Sequence, residues 1–151
     1  MSPCEKIARS EQPTAFIRTR TPVEELPEVM DSAYKTIASV ISKQRSSPAG
    51  PPYAAYHNMD MSDLDVEIGF PLAEPFSRED DVQAGSIPAG SYAACLYTGP
   101  YSGIEKGYKA LTAWIKGQGL KPTGVSFEFY LNDPDDTSPE KLLTQILFPL
   151  V

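Results

Sequence analysis

The stretch Gly124-Val125-Ser126-Phe127-Glu128-Phe129-Tyr130-Leu131-Asn132-Asp133-Pro134 decides the reading of this chain. Its period is two. Val125, Phe127, Phe129 and Leu131 fall on one face of a strand, and Ser126, Glu128, Tyr130 and Asn132 on the other. The first face reads as a core face. The second sets a carboxylate two residues from a phenol on the same side. A carboxylate in so apolar a stretch is costly to desolvate, so it is paired, exposed or used. The plain structural alternative is a Glu that faces water on a one-sided antiparallel sheet.

Upstream of this strand, Ser91–Thr98 reads as another strand and Gly99-Pro100-Tyr101-Ser102-Gly103 as a turn into a helix. Ser102 and Glu105 have capping-box spacing, and Ile104, Tyr108, Leu111 and Ile115 form an apolar stripe. Gly117 and Gly119, with Pro122 beyond, end the helix. Downstream, Asp133–Glu140 is an acidic loop and Lys141–Leu150 a last strand. The first half has the same plan. Cys4–Thr19 holds a first strand around Thr14–Arg18, and Thr21 with Glu24 resembles a capping box. Pro27 is the alternative first helical residue. Leu26, Met30, Ala33, Ile37 and Ile41 make a helical stripe. The loop 46–52 leads to a strand over Tyr53–Asn58 and a return strand over Leu64–Leu72. Ala73–Gly85 reads as a polar connector.

The halves look like copies. Ala33-Tyr-Lys-Thr-Ile-Ala-Ser-Val-Ile41 aligns with Gly107-Tyr-Lys-Ala-Leu-Thr-Ala-Trp-Ile115, and Tyr34 to Tyr56 spans 22 positions, as does Tyr108 to Tyr130. Ile68-Gly-Phe-Pro-Leu72 matches Ile146-Leu-Phe-Pro-Leu150. Each half is strand–helix–strand–strand, and the second hairpin is four residues longer. The fold class expected is α+β: duplicated βαββ repeats forming an antiparallel sheet with helices on one face and a ligand cleft between repeats. The boundaries are one domain over 1–151, with repeat one at 1–74 and repeat two at 80–151. In this alignment Ala54 is the counterpart of Glu128, so the symmetry breaks at the acid.

Composition narrows the function. The net charge of −7 argues against a nucleic-acid-binding surface. No apolar stretch approaches membrane-spanning length, and the N-terminus shows no signal peptide. Cys4 and Cys95 lack metal-type spacing and read as free thiols of a reducing cytosol. The lone His57 supports no metal site or triad, and no cofactor is expected.

Several elements together resemble the GyrI-like small-molecule-binding domain, which is also the effector-binding domain of bacterial multidrug-sensing transcription activators. They are Tyr53-Ala-Ala-Tyr56, Asp65-Val-Glu-Ile-Gly-Phe-Pro-Leu72, Pro88-Ala-Gly-Ser-Tyr92, Gly99-Pro-Tyr101, Trp114-Ile115, Glu128-Phe-Tyr-Leu-Asn-Asp-Pro134 and Thr144-Gln-Ile-Leu-Phe-Pro149. The resemblance implies a duplicated βαββ fold that binds bulky aromatic, often cationic compounds, with Glu128 as the buried acid facing the ligand. It also implies a bacterial, cytoplasmic protein. Some relatives hydrolyse electrophilic cyclopropane-containing genotoxins. Gln145 stands where the resemblance leads one to expect Glu, so Glu67 would have to supply a second acid.

The expected ligand-binding residues are Glu128, Tyr130, Tyr56, Tyr92, Trp114, Tyr101 and Glu67, with Tyr92 preferred to Tyr97; Tyr34 and Tyr108 are assigned to packing. If the protein is an enzyme, Glu128 is the general base and Tyr92 the acid. The leading expectation is a stand-alone multidrug-type binding module. With a first strand beginning almost at Met1, the expectation is a module without a helix-turn-helix segment of its own. Hydrolysis is the alternative, and an inhibitory protein partnership with gyrase a weaker one.

Overall fold

The computed structural model describes residues 3–151. In chain order its strands are β1 (Glu5–Arg9), β2 (Gln12–Thr21), β3 (Tyr53–Tyr56), β4 (Leu64–Pro71), β5 (Gln83–Ile87), β6 (Gly90–Thr98), β7 (Ser126–Tyr130) and β8 (Leu143–Pro149). The helices are α1 (Leu26–Lys43) and α2 (Glu105–Gly117). The chain divides into two compact units. One is Ser10–Pro88; the other takes Ala89–Val151 together with the N-terminal segment ending at Arg9.

Both units have one plan, and it is the expected α+β repeat. In Ser10–Pro88 the strands run β3–β4–β2–β5, all antiparallel, with α1 over the sheet. The helix buries Ile37, Val40 and Ile41 against Ala15, Leu72, Phe76 and Val82. In the other unit the strands run β7–β8–β6–β1, again antiparallel. There α2 buries Leu111 and Ile115 against Ala93, Cys95, Tyr97 and Ile146. β3, β4 and β2 thus correspond to β7, β8 and β6.

Three features depart from the expectations. Cys4–Thr19 is two strands, and β1 pairs not with its chain neighbour β2 but with β6, from Glu5↔Ala94 to Arg9↔Gly90. The end of the polar connector is also a strand: β5 pairs with β2, from Gln12↔Ile87 to Phe16↔Gln83. Both are edge strands with little apolar alternation, which is why periodicity passed over them. Third, neither capping box forms. Each helix is entered through a 3₁₀ turn, Val23–Glu25 or Tyr101–Gly103, and no side chain caps either helix. The turn's backbone takes over: the Ile104 N–H donates to the Tyr101 carbonyl at 3.1 Å. The Thr21 hydroxyl instead donates to the Pro22 carbonyl at 3.0 Å.

The turn before α2 depends on glycine. The Tyr97 hydroxyl donates to the Pro100 carbonyl at 2.7 Å, and a Cβ on Gly99 (φ +144°) or Gly103 would meet the Tyr97 hydroxyl oxygen at 2.8 or 2.5 Å. Gly69 in β4 is tighter still. A Cβ there would lie 2.5 Å from the Ala15 carbonyl oxygen and 2.9 Å from the Phe16 Cβ. The carbonyl belongs to the ladder and cannot swing aside, so Gly69→Ala is expected to destabilise the fold by about 2 kcal/mol, measured by urea unfolding.

Candidate functional site

Register decides which way Glu128 points. It lies opposite Ile146, which lies opposite Cys95, and both of those residues belong to the core under α2. The carboxylate therefore projects toward the helix. It is 8 % exposed. Its two oxygens each accept from a phenol: Tyr108 on α2 donates to Oε2, and Tyr130 on β7 donates to Oε1 at 2.7 Å. Tyr101 abuts Tyr130 edge-on, ring centroids 5.6 Å apart, and the Tyr108 ring packs 5.7 Å from Phe148.

Burial raises the pKa of Glu128 above the ordinary carboxylate value; the hydrogen bonds from Tyr108 and Tyr130 pull it partly back. Tyr101 lies in the same field. Burial, then the nearby charges of Asp133 and Glu128, push its phenol up. The arrangement is a desolvated acid whose lone pairs are half satisfied by hydroxyls, beside aromatic rings. Such a group attracts cations, and as a base it accepts protons more readily than a solvated carboxylate.

The opposite face of β7 is buried too. Phe127 and Phe129 stack at 6.2 Å, Tyr92 meets Phe127 edge-on at 6.2 Å, and the Arg9 guanidinium lies 4.8 Å over Phe129. Glu128 is thus on the helix-covered face of a strand buried on both sides, not on a face opposite the helix. This separates it from Tyr92, which the sequence reading paired with it. Tyr92 is 1 % exposed on the far side of the sheet. Tyr108, read as packing, is the phenol that reaches the acid. The signal was available in the repeat alignment, which set a tyrosine at this helical position in both halves. In the half without the acid, Tyr34 donates instead to the Tyr53 carbonyl at 2.7 Å, beside Ala54.

Trp114 is half-buried and packs against the α2 core. Tyr56 ends β3 in the Ser10–Pro88 unit, the position in its hairpin that Tyr130 has in the other. Glu67 lies in β4 of that first unit, where it accepts from Tyr53 at 2.6 Å and faces His57 Nε2 at 3.1 Å. Its oxygens are occupied by local partners. Gln145 pairs with Phe129 in the ladder, so it projects to the face away from Glu128. Thr144, opposite Tyr130, is fully buried on the Glu128 side, and its hydroxyl has no hydrogen-bond partner among the described residues. Thr144→Val should leave stability unchanged or raise it by about 1 kcal/mol, because an unpaired buried hydroxyl is removed. Thermal unfolding of the variant checks this.

A duplicated α+β domain holding a buried carboxylate among phenols defines a class, the small-molecule-binding domains. The family model described as the GyrI-like small molecule binding domain matches residues 3–151, and the chain belongs to that family. Among solved structures, the C-terminal domain of EcmrR superposes with a TM-score of 0.88 at 18 % identity, over 98 % of this chain and 96 % of that one. A hydrolase from Listeria innocua gives 0.71 at 16 % identity, over 99 % and 92 %. SAV2435 bound to tetraphenylphosphonium gives 0.70 at 12 %, over 99 % and 94 %. At these identities the likeness is one of fold. No curated protein matches the chain in sequence. No helix among the described residues is long and apolar enough to cross a membrane.

Proposed function

We propose that the protein binds bulky aromatic cations, with Glu128 as the counter-charge. The observation that carries this reading is the buried carboxylate clamped by Tyr108 and Tyr130 beside Tyr101. A cation entering there would gain charge pairing with Glu128 and cation–π contact with the rings, both strengthened by low local dielectric. Trp114, half-buried on α2, serves as further aromatic surface for the ligand. SAV2435, of the same fold, binds tetraphenylphosphonium, a permanent aromatic cation, and this supports the ligand class. Calorimetric titration with tetraphenylphosphonium and with neutral triphenylphosphine oxide tests the reading. Clear preference for the cation is expected; equal or absent binding of both overturns it.

A second reading, hydrolysis of an electrophilic cyclopropane, is favoured by one observation: the acid and two phenols lie within hydrogen-bond reach of one another. Glu128 would take a proton from water as the water oxygen attacks a ring carbon. The ring C–C bond would break, its electron pair moving onto the conjugated acceptor, which takes a proton from Tyr108 or Tyr130. Mass analysis of a cyclopropane substrate incubated with wild type and with Glu128→Gln decides the matter. Product from wild type alone supports turnover; equal slow product from both leaves binding as the function.

A further inference from the structure

We propose that Cys4 and Cys95 form a redox-modification site, at which a peroxide joins them in a disulfide that staples β1 to β6. The ladder carries the geometry. Its first pair is Glu5↔Ala94, and one more step of the same register sets Cys4 opposite Cys95. Residues directly opposite in an antiparallel pair project to one face, with Cα atoms about 4.5 or 5.5 Å apart according to the type of pair. Both separations fall within the range of about 4.4–6.8 Å that a disulfide spans. The side chains meet on that face: Cys4 packs against the α2 core of which Cys95 is part. Both cysteines are reduced in the structure.

The two thiols differ in the way such a reaction requires. Cys95 is 2 % exposed, whereas Cys4 is partly open to solvent. Burial and the neighbouring Cys4 side chain push the Cys95 thiol up to about 12, so it is a poor first nucleophile. Cys4 therefore reacts first. Its sulfur, losing the thiol proton, attacks one peroxide oxygen; the O–O bond breaks and water leaves, giving a sulfenic acid. The Cys95 sulfur then attacks the Cys4 sulfur, the S–O bond breaks, and a second water leaves with the Cys95 proton. Two thiols and one hydrogen peroxide become one disulfide and two waters, two electrons passing to the peroxide.

The bond would tie down the start of an edge strand whose other end, Arg9, lies 4.8 Å over Phe129, the ring next in sequence to Glu128. It closes a loop of most of the chain, so the oxidised protein should unfold roughly 5–10 °C higher than the reduced one. The experiment treats the protein with hydrogen peroxide, then maps peptides by mass without reduction and records thermal unfolding, with Cys4→Ser and Cys95→Ser in parallel. A Cys4–Cys95 linked peptide from the monomer, with the rise in unfolding temperature absent from both variants, is the expected result. Cysteines joined only between chains, Cys4 driven to sulfinic acid without a link, or two intact thiols after excess peroxide would each overturn the proposal. Because both variants keep Glu128, the outcome is independent of the ligand reading.

Discussion

Glu128→Gln is expected to weaken binding of tetraphenylphosphonium by about 1–3 kcal/mol, roughly 5- to 150-fold, while binding of a neutral analogue of the same size changes little. The substitution keeps the volume and removes the charge; one of the two phenols must then turn from donor to acceptor to meet the amide N–H. Titration calorimetry on both ligands measures it, and an unchanged affinity for the cation would remove Glu128 as counter-ion. Acid should act as the mutation does. The Glu128 pKa is raised by burial, so the carboxylate takes up its proton at a higher pH than an exposed glutamate. Affinity for the cation should therefore fall as pH drops through that raised value, and the pH dependence should vanish in Glu128→Gln. The same shift has a sign for stability. A carboxylate whose folded pKa lies above its unfolded value favours folding below the unfolded pKa and loses that contribution as pH rises through the folded one. Glu128→Gln should thus be more stable than wild type at neutral pH, the difference shrinking as pH falls. Greater stability with poorer binding is the pattern expected of a functional buried charge.

Tyr108→Phe should destabilise the protein by about 1.5–3 kcal/mol at neutral pH, the scale of a hydrogen bond to a charged group lost in a buried site. Glu128 keeps its bond from Tyr130 at 2.7 Å but has one oxygen left without its phenol. The loss should lessen in acid, where a protonated carboxyl no longer needs that donor. Chemical denaturation at two pH values measures it. Tyr34→Phe is the internal comparison: it removes a hydroxyl donating to the Tyr53 carbonyl, a neutral acceptor, and should cost less, about 0.5–1.5 kcal/mol. Equal losses, independent of pH, would mean that Tyr108 does no more for the acid than Tyr34 does for a backbone carbonyl.

The amino-acid pattern by itself determined the repeat and the acid. Period-two and helical spacings located β3, β4, β6, β7, β8 and both helices, because each carries an apolar face that a core must cover. The alignment of the halves exposed Ala54 against Glu128, and so singled out one carboxylate. Edge strands β1 and β5 escaped notice because an edge needs no apolar stripe. The pairing of β1 with β6 is set by ladder hydrogen bonds between segments far apart in the chain, of which local composition carries no trace. Only the tertiary structure decided which side of β7 the acid takes. Alternation divides a strand into two faces but does not say which one a helix covers, and here both are buried. That choice removed Tyr92 and Gln145 from the side of Glu128 and brought Tyr108 to it, because a helix one layer away, not a strand neighbour, supplies the second phenol.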